Sequence, residues 1–188
     1  MKKTTKTLLV LAIAITASAF TNPVKEKIEV TESTIHWLGK KVTGKHNGTI
    51  NLQEGYLEME GENMVGGKFI IDMTSITVTD LQGGMKGKLE GHLKSDDFFG
   101  VETYPTATLI ITSATKSGNT YEVNGDITIK GITQPITFNL TKEGNTATTT
   151  VIIDRSKFNV RYGSGSFFDN LGDKTIYDDF QLDVTLKF

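Results

Sequence analysis

Residues 121–140 read Tyr121-Glu122-Val123-Asn124-Gly125-Asp126-Ile127-Thr128-Ile129-Lys130-Gly131-Ile132-Thr133-Gln134-Pro135-Ile136-Thr137-Phe138-Asn139-Leu140. Tyr121, Val123, Ile127 and Ile129 alternate with Glu122, Asn124, Asp126 and Thr128. After Lys130-Gly131, Ile132, Ile136, Phe138 and Leu140 alternate with Thr133, Thr137 and Asn139. A period of two is that of strands apolar on one face and wet on the other. The Lys130-Gly131 pair between the two runs is a turn signal.

The same pattern extends in both directions. Downstream, Ala147, Val151 and Ile153 alternate with Thr148, Thr150, Ile152 and Asp154, and Phe180, Leu182, Val184, Leu186 and Phe188 alternate with polar residues. Upstream, Ala107, Leu109 and Ile111 do the same. Ser117-Gly118-Asn119 and Glu143-Gly144-Asn145 supply further turns. The first half adds Ile28, Val30 and Ile35-His36-Trp37, a turn through Gly44 to Gly48, a strand from Thr49 interrupted at Glu54-Gly55, a turn at Gly61-Glu62-Asn63, and a strand with Gly67, Phe69, Ile71 and Met73 on one face. The count is eight strands. Short turns between antiparallel strands leave edges that closure removes, so an all-β, eight-stranded antiparallel barrel is predicted over an open sandwich.

One segment departs from this period. Met85, Leu89 and Leu93 are spaced by four, with Lys86, Lys88, Glu90 and Lys94 between them, which predicts one short amphipathic helix. Gly87 and Gly91 each weaken it by about 1 kcal/mol relative to alanine, so packing must hold it. Leu89 and Leu93 are expected to face the barrel. Its end, Gly91-His92-Leu93-Lys94-Ser95-Asp96-Asp97-Phe98-Phe99, crowds one histidine, two carboxylates and two phenylalanines together. The expected role is a lid: Phe98-Phe99 wedge into the barrel end, His92 hydrogen-bonds to backbone, Ser95 caps a second turn, and Asp96 and Asp97 fix that turn. A long connection from Gly163 to Asp178, with Phe167-Phe168 inside it, is expected to pack near a barrel mouth.

The chain has 188 residues and no cysteine, which suits one domain without disulfides. Residues 1–19 carry Lys2, Lys3 and Lys6, an apolar run from Leu8 to Ile15, and Ala17-Ser18-Ala19. That is the form of a cleaved signal peptide, and the run is short for a membrane span. The domain is then 20–188, secreted and periplasmic, with no stable membrane anchor. Without the three leader lysines, 17 basic residues face 22 acidic ones, a balance that argues against nucleic-acid partners.

Trp37-Leu38-Gly39-Lys40 with Gly44, His46 and Gly48; Gly66-Gly67-Lys68-Phe69 leading to Asp72-Met73; Leu89 through Phe99 followed by Tyr104-Pro105-Thr106-Ala107; Val123 through Thr133 with Pro135; and Ile153-Asp154-Arg155 with Phe158 occur in this order. With them the chain resembles the YceI-like family, exported lipid- or polyisoprenoid-binding proteins with a lipocalin-like barrel. The resemblance runs through nearly the whole mature sequence. It implies a barrel with a helix across one end and an apolar tunnel for an amphiphile such as an isoprenoid quinone or polyprenyl phosphate.

Candidates for the tunnel lining are Trp37, Phe69, Ile71, Leu93, Phe98, Phe138, Leu140, Val151 and Phe158. Each could equally be ordinary core. Arg155, Arg161 and Lys130 are candidates for a phosphate or quinone head group, although Arg155 could instead pair with Asp154. No cofactor is expected beyond the lipid ligand. No two of His36, His46 and His92 have zinc-pair spacing, so no metal site is expected. A hydrolase using His92 with Asp96 or Asp97 lacks a nucleophile motif. A structural or stress-related barrel with a filled interior is the competing reading, and a continuous tunnel of several hundred Å³ is the feature that separates the two. Oligomeric state, a homodimer included, is open.

Overall fold

A computed structural model describes residues 24–188. The signal peptide predicted over residues 1–19 lies outside the described residues. The elements are β1 (Lys25–Glu29), β2 (Glu32–Lys41), β3 (Gly44–Glu60), β4 (Asn63–Val78), α1 (Gly83–Lys94), β5 (Thr106–Ser117), β6 (Thr120–Ile129), β7 (Ile132–Glu143), β8 (Thr146–Asp154) and β9 (Ile176–Lys187). All pairings are antiparallel, in the order β3-β2-β9-β8-β7-β6-β5-β4, and β4 returns to β3 to close the ring. The predicted eight-stranded barrel is therefore the fold. β1 does not add a ninth stave. It pairs with β3 in the same register as β2 does, Glu29 opposite Tyr56 and His36 opposite Thr49, so β1 and β2 are one stave broken at Val30-Thr31.

The strands of the first half are longer than their sequence suggests. β3 continues through Glu54-Gly55, because register irregularities absorb the break. β4 runs to Val78, five residues beyond Met73. Asp72 makes this possible by accepting from the Thr74 backbone N–H at 2.9 Å and hydroxyl at 2.6 Å, while the Ser75 hydroxyl donates to the Asp72 carbonyl. The bulge shifts the inward face, so Ile76 and Val78 are buried after it as Met73 is before it.

The register divides the interior into two levels. At the end away from α1, Leu57, Val123, Ile111, Tyr121, Leu140 and Ala147 fill the barrel. At the α1 end the packing is looser. There β2 and β3 meet where Trp37 crosses Gly48, and the Trp37 indole N–H donates to the Thr77 carbonyl at 3.2 Å. A Cβ on Gly48 would lie 1.8 Å from that carbonyl oxygen and 2.6 Å from the Trp37 ring. Gly48→Ala is therefore expected to destabilise the protein by about 1–3 kcal/mol through overpacking, read as a lowered urea midpoint at unchanged slope.

α1 lies across the end of the barrel against β4, but it is not held as expected. None of its residues is fully buried, it has no side-chain N-cap, and Met85 is 67 % exposed. Leu89 and Leu93 are half-buried. The reason lies in the adjoining turn: Phe98 and Val101 are buried in its place. Ser95 is the C-cap of α1 and starts no new helix; its backbone N–H and its hydroxyl both donate to the His92 carbonyl.

Candidate functional site: an apolar cavity under the helix

The looser level of the barrel holds a cavity of about 130 Å³. Strands β2, β3, β4, β5, β6, β8 and β9 contribute to its wall, and β7 does not. Inward-facing aliphatic residues make up most of it, among them Ile35, Ile71, Met73, Ile127 and Ile153. Leu93 from α1 and the Phe98-Phe99 pair line it at the helix end. These rings meet edge to face at 5.1 Å, and Phe99 reaches Phe180 at 6.2 Å. Arg155 is the charged residue on the wall.

Arg155 is nearly inaccessible, at 2 % exposure. Its guanidinium donates to the carbonyls of Tyr177, Val160, Tyr162 and Ile176 at 2.8–3.2 Å. It also lies 3.3 Å from an Asp178 carboxylate oxygen and 5.3 Å from the Phe98 ring centre. Burial lowers its pKa from the ordinary arginine value, against the opposing pull of Asp178 and Asp154. Its ion-pair partner is thus Asp178 and not Asp154, whose carboxylate instead accepts from the Ser156 N–H and hydroxyl to start the 3-10 turn Arg155–Phe158. Arg155 ties the 159–175 connection to the barrel.

The other two head-group candidates sit outside the cavity. The Lys130 ammonium donates to the carbonyls of Asp96 and Phe98, both at 2.8 Å, and clamps the post-helix turn onto the β6–β7 turn. Arg161 stacks over Phe167 at 4.5 Å. Both line an outer recess of about 610 Å³ together with Asp96, Asp97, Tyr162, Phe168 and Lys174. Phe168 is half exposed there, so the Phe167-Phe168 pair packs only in part.

Of the nine lining candidates, Trp37, Ile71, Leu93 and Phe98 border the cavity. Phe69, Phe138, Leu140, Val151 and Phe158 are buried away from it. Wall residues outside that set include Ile50, Met73 and Phe180, which belong to strands whose alternation is visible in the sequence, and Ile76, which lies in the extension of β4 past the bulge. Alternation marks which face points inward but not the height at which a side chain sits in the barrel.

No catalytic arrangement forms around His92. Its ring stands edge-on between Phe98 at 5.6 Å and Tyr162 at 4.4 Å, and its buried Nε2 has no hydrogen-bond partner. The expected backbone hydrogen bond is replaced by aromatic packing. No hydrogen bond joins His92 to Asp96 or Asp97 among the described residues, and the Asp96 contribution to the turn is its carbonyl. The histidine–carboxylate pair that does form is His46 with Asp80 at 2.9 Å, at the entry to α1. Burial would raise the Asp80 pKa, but the His46 ring and the Asn47 N–H hold it below the usual carboxylate value. No group of three potential metal ligands occurs among the described residues.

A family model described as a YceI-like domain matches residues 27–188. Protein YceI of Escherichia coli O157:H7 is 31% identical over 90 residues, 48% of this chain and 45% of its own length. A UPF0312 protein of Photorhabdus laumondii is 44% identical over 48 residues, 26% of this chain and 25% of its own. The matched segments thus span less than half of these relatives. Among solved structures, Burkholderia cenocepacia BcnA superposes with a TM-score of 0.63 at 26% identity, over 82% of this chain and 94% of that one. A polyisoprenoid binding domain from Saccharophagus degradans superposes with a TM-score of 0.56 at 14% identity, over 85% and 95%; that likeness is one of fold.

Proposed function

The chain belongs to the YceI-like family, and from that premise we propose that it binds and sequesters an amphiphilic lipid of the isoprenoid quinone or polyprenyl phosphate class, without catalysing a reaction on it. The observation that carries this reading is the cavity, walled by aliphatic and aromatic side chains and bordered by a weakly held helix. The polyisoprenoid-binding domain with the same fold supports the choice of ligand class. The site of action is the periplasm, after loss of residues 1–19.

Transfer of an apolar chain out of water contributes about 0.8 kcal/mol per methylene, so a tail needs no elaborate polar recognition. The cavity is small for this task. An apolar cavity of roughly 150 Å³ takes up one benzene, so 130 Å³ admits about one prenyl unit. A longer tail needs more room, which movement of α1 would supply. α1 is suited to that, because its packing is shallow and its glycines at 84, 87 and 91 touch nothing that a Cβ would meet. Arg161 and Lys174 in the outer recess would meet an anionic head group.

The cavity volume, below the several hundred Å³ expected of a tunnel, favours a second reading: an exported barrel with a largely filled interior. Trp37 is the one tryptophan of the chain and borders the cavity, so its fluorescence reports occupancy. Titration with geraniol, farnesol and geranylgeraniol is expected to show affinity rising about tenfold or more with each added prenyl unit, well within the burial gain available. An affinity that does not grow beyond the shortest chain would favour the filled barrel.

A further inference from the structure

Eight large hydrophobic side chains are markedly exposed among the described residues, and five of them sit at one end of the barrel. Val42 is in the β2–β3 turn, Met85 on α1, Tyr162 and Phe168 in the 159–175 connection, and Tyr177 at the start of β9. These segments are bonded to one another: the Val42 N–H donates to the Thr175 carbonyl, the Ile176 N–H to Gly163, and Tyr162 packs on His92 of α1. Ile110 and Ile152 stand singly on the barrel wall, and Val24 precedes β1.

Charge is distributed along the same axis. The segments at this end (40–47, 79–105, 130–131 and 154–179) carry eleven Lys and Arg against ten Asp and Glu. The rest of residues 24–188 carries six against twelve. Charged groups of both signs at the helix end are engaged internally: Asp80 with His46, Glu90 with the Val78 N–H, Asp154 with Ser156 and Asp178 with Ser166, and likewise Lys130 with the Asp96 and Phe98 carbonyls and the buried Arg155 with four carbonyls. Lys40, Lys45 and Lys88 are exposed there.

We propose that this helix-bearing end is a docking face for the surface of an anionic lipid bilayer. Exposed apolar and aromatic side chains interleaved with lysines suit the headgroup boundary, where rings and methyl groups enter the interface and ammonium groups meet phosphates. The more acidic remainder of the barrel is repelled, which orients the molecule with its cavity toward the membrane. The inference rests on the lipid-binding reading, since the same end holds the cavity from which a tail would enter or leave.

Flotation of the full mature chain with vesicles tests it. Wild type is expected to float with phosphatidylcholine–phosphatidylglycerol vesicles, less with phosphatidylcholine alone, and less as salt rises. Val42→Ser with Met85→Ser is expected to cut the bound fraction by about fivefold or more, and the wall pair Ile110→Ser with Ile152→Ser to leave it unchanged. Both variants should keep farnesol uptake from solution, read by Trp37 fluorescence. Failure of wild type to float, equal losses from both variants, or a rim variant that alters only self-association in sedimentation velocity would overturn the docking face. Flotation without farnesol uptake would instead overturn the lipid-binding reading and leave the docking face standing.

Discussion

Arg155→Met is expected to lower stability by about 3–5 kcal/mol. The side chain is 2 % exposed and gives hydrogen bonds to four backbone carbonyls. Methionine fills similar volume but offers no donor. It leaves Tyr177, Val160, Tyr162 and Ile176 carbonyls unpaired and Asp178 without its cation. Adding Asp178→Leu should recover only part of the loss, because the carbonyls remain unsatisfied. Asp178→Asn alone should cost far less than Arg155→Met, since the four carbonyl bonds survive. Urea unfolding of the three proteins orders them. Equal costs for Arg155→Met and Asp178→Asn would show that the ion pair, and not the carbonyl cradle, holds the 159–175 connection.

The second large effect concerns binding. Ala107 is buried on β5 and borders the cavity. A phenyl group is close in size to the benzene that an apolar cavity of about 150 Å³ accepts. Ala107→Phe should therefore occupy most of the 130 Å³ space and lower affinity for farnesol by about a hundredfold or more, the equivalent of a few buried methylenes. Because the new ring enters a void, stability should change by no more than about 1–3 kcal/mol, the range for overpacking. A variant that binds farnesol as wild type does would place the ligand elsewhere.

The barrel was legible because a period of two needs only the order of residues. Tyr121 to Leu140 states it without interruption, and the structure pairs Val123 with Phe138 as that reading requires. The height of a side chain within the barrel was not legible, because it depends on register and bulges. Phe138 and Leu140 point inward as expected, yet they lie in the filled level, while Ile127 and Ile129 of the neighbouring strand border the cavity. The bulge at Asp72 to Ser75 hid Ile76 in the same way, since it changes which parity faces in. Arg155 is a head-group candidate in the sequence because arginine suits bidentate phosphate contact. Its carbonyl acceptors come from residues 160 to 177, and carbonyl positions leave no mark in a sequence. The weak hold on α1 was half visible: Gly87 and Gly91 announced it, but the exposure of Met85 required the neighbouring turn to take the buried place.

Native mass spectrometry of the wild-type protein and Ala107→Phe, each purified from the organism that makes it and under conditions that retain bound lipid, tests the central claim most directly. The account predicts an added mass on the wild type that organic extraction identifies as an isoprenoid amphiphile, and its loss or strong depletion from Ala107→Phe. Wild-type protein that carries no lipid, and takes up none when incubated with farnesol, would contradict it.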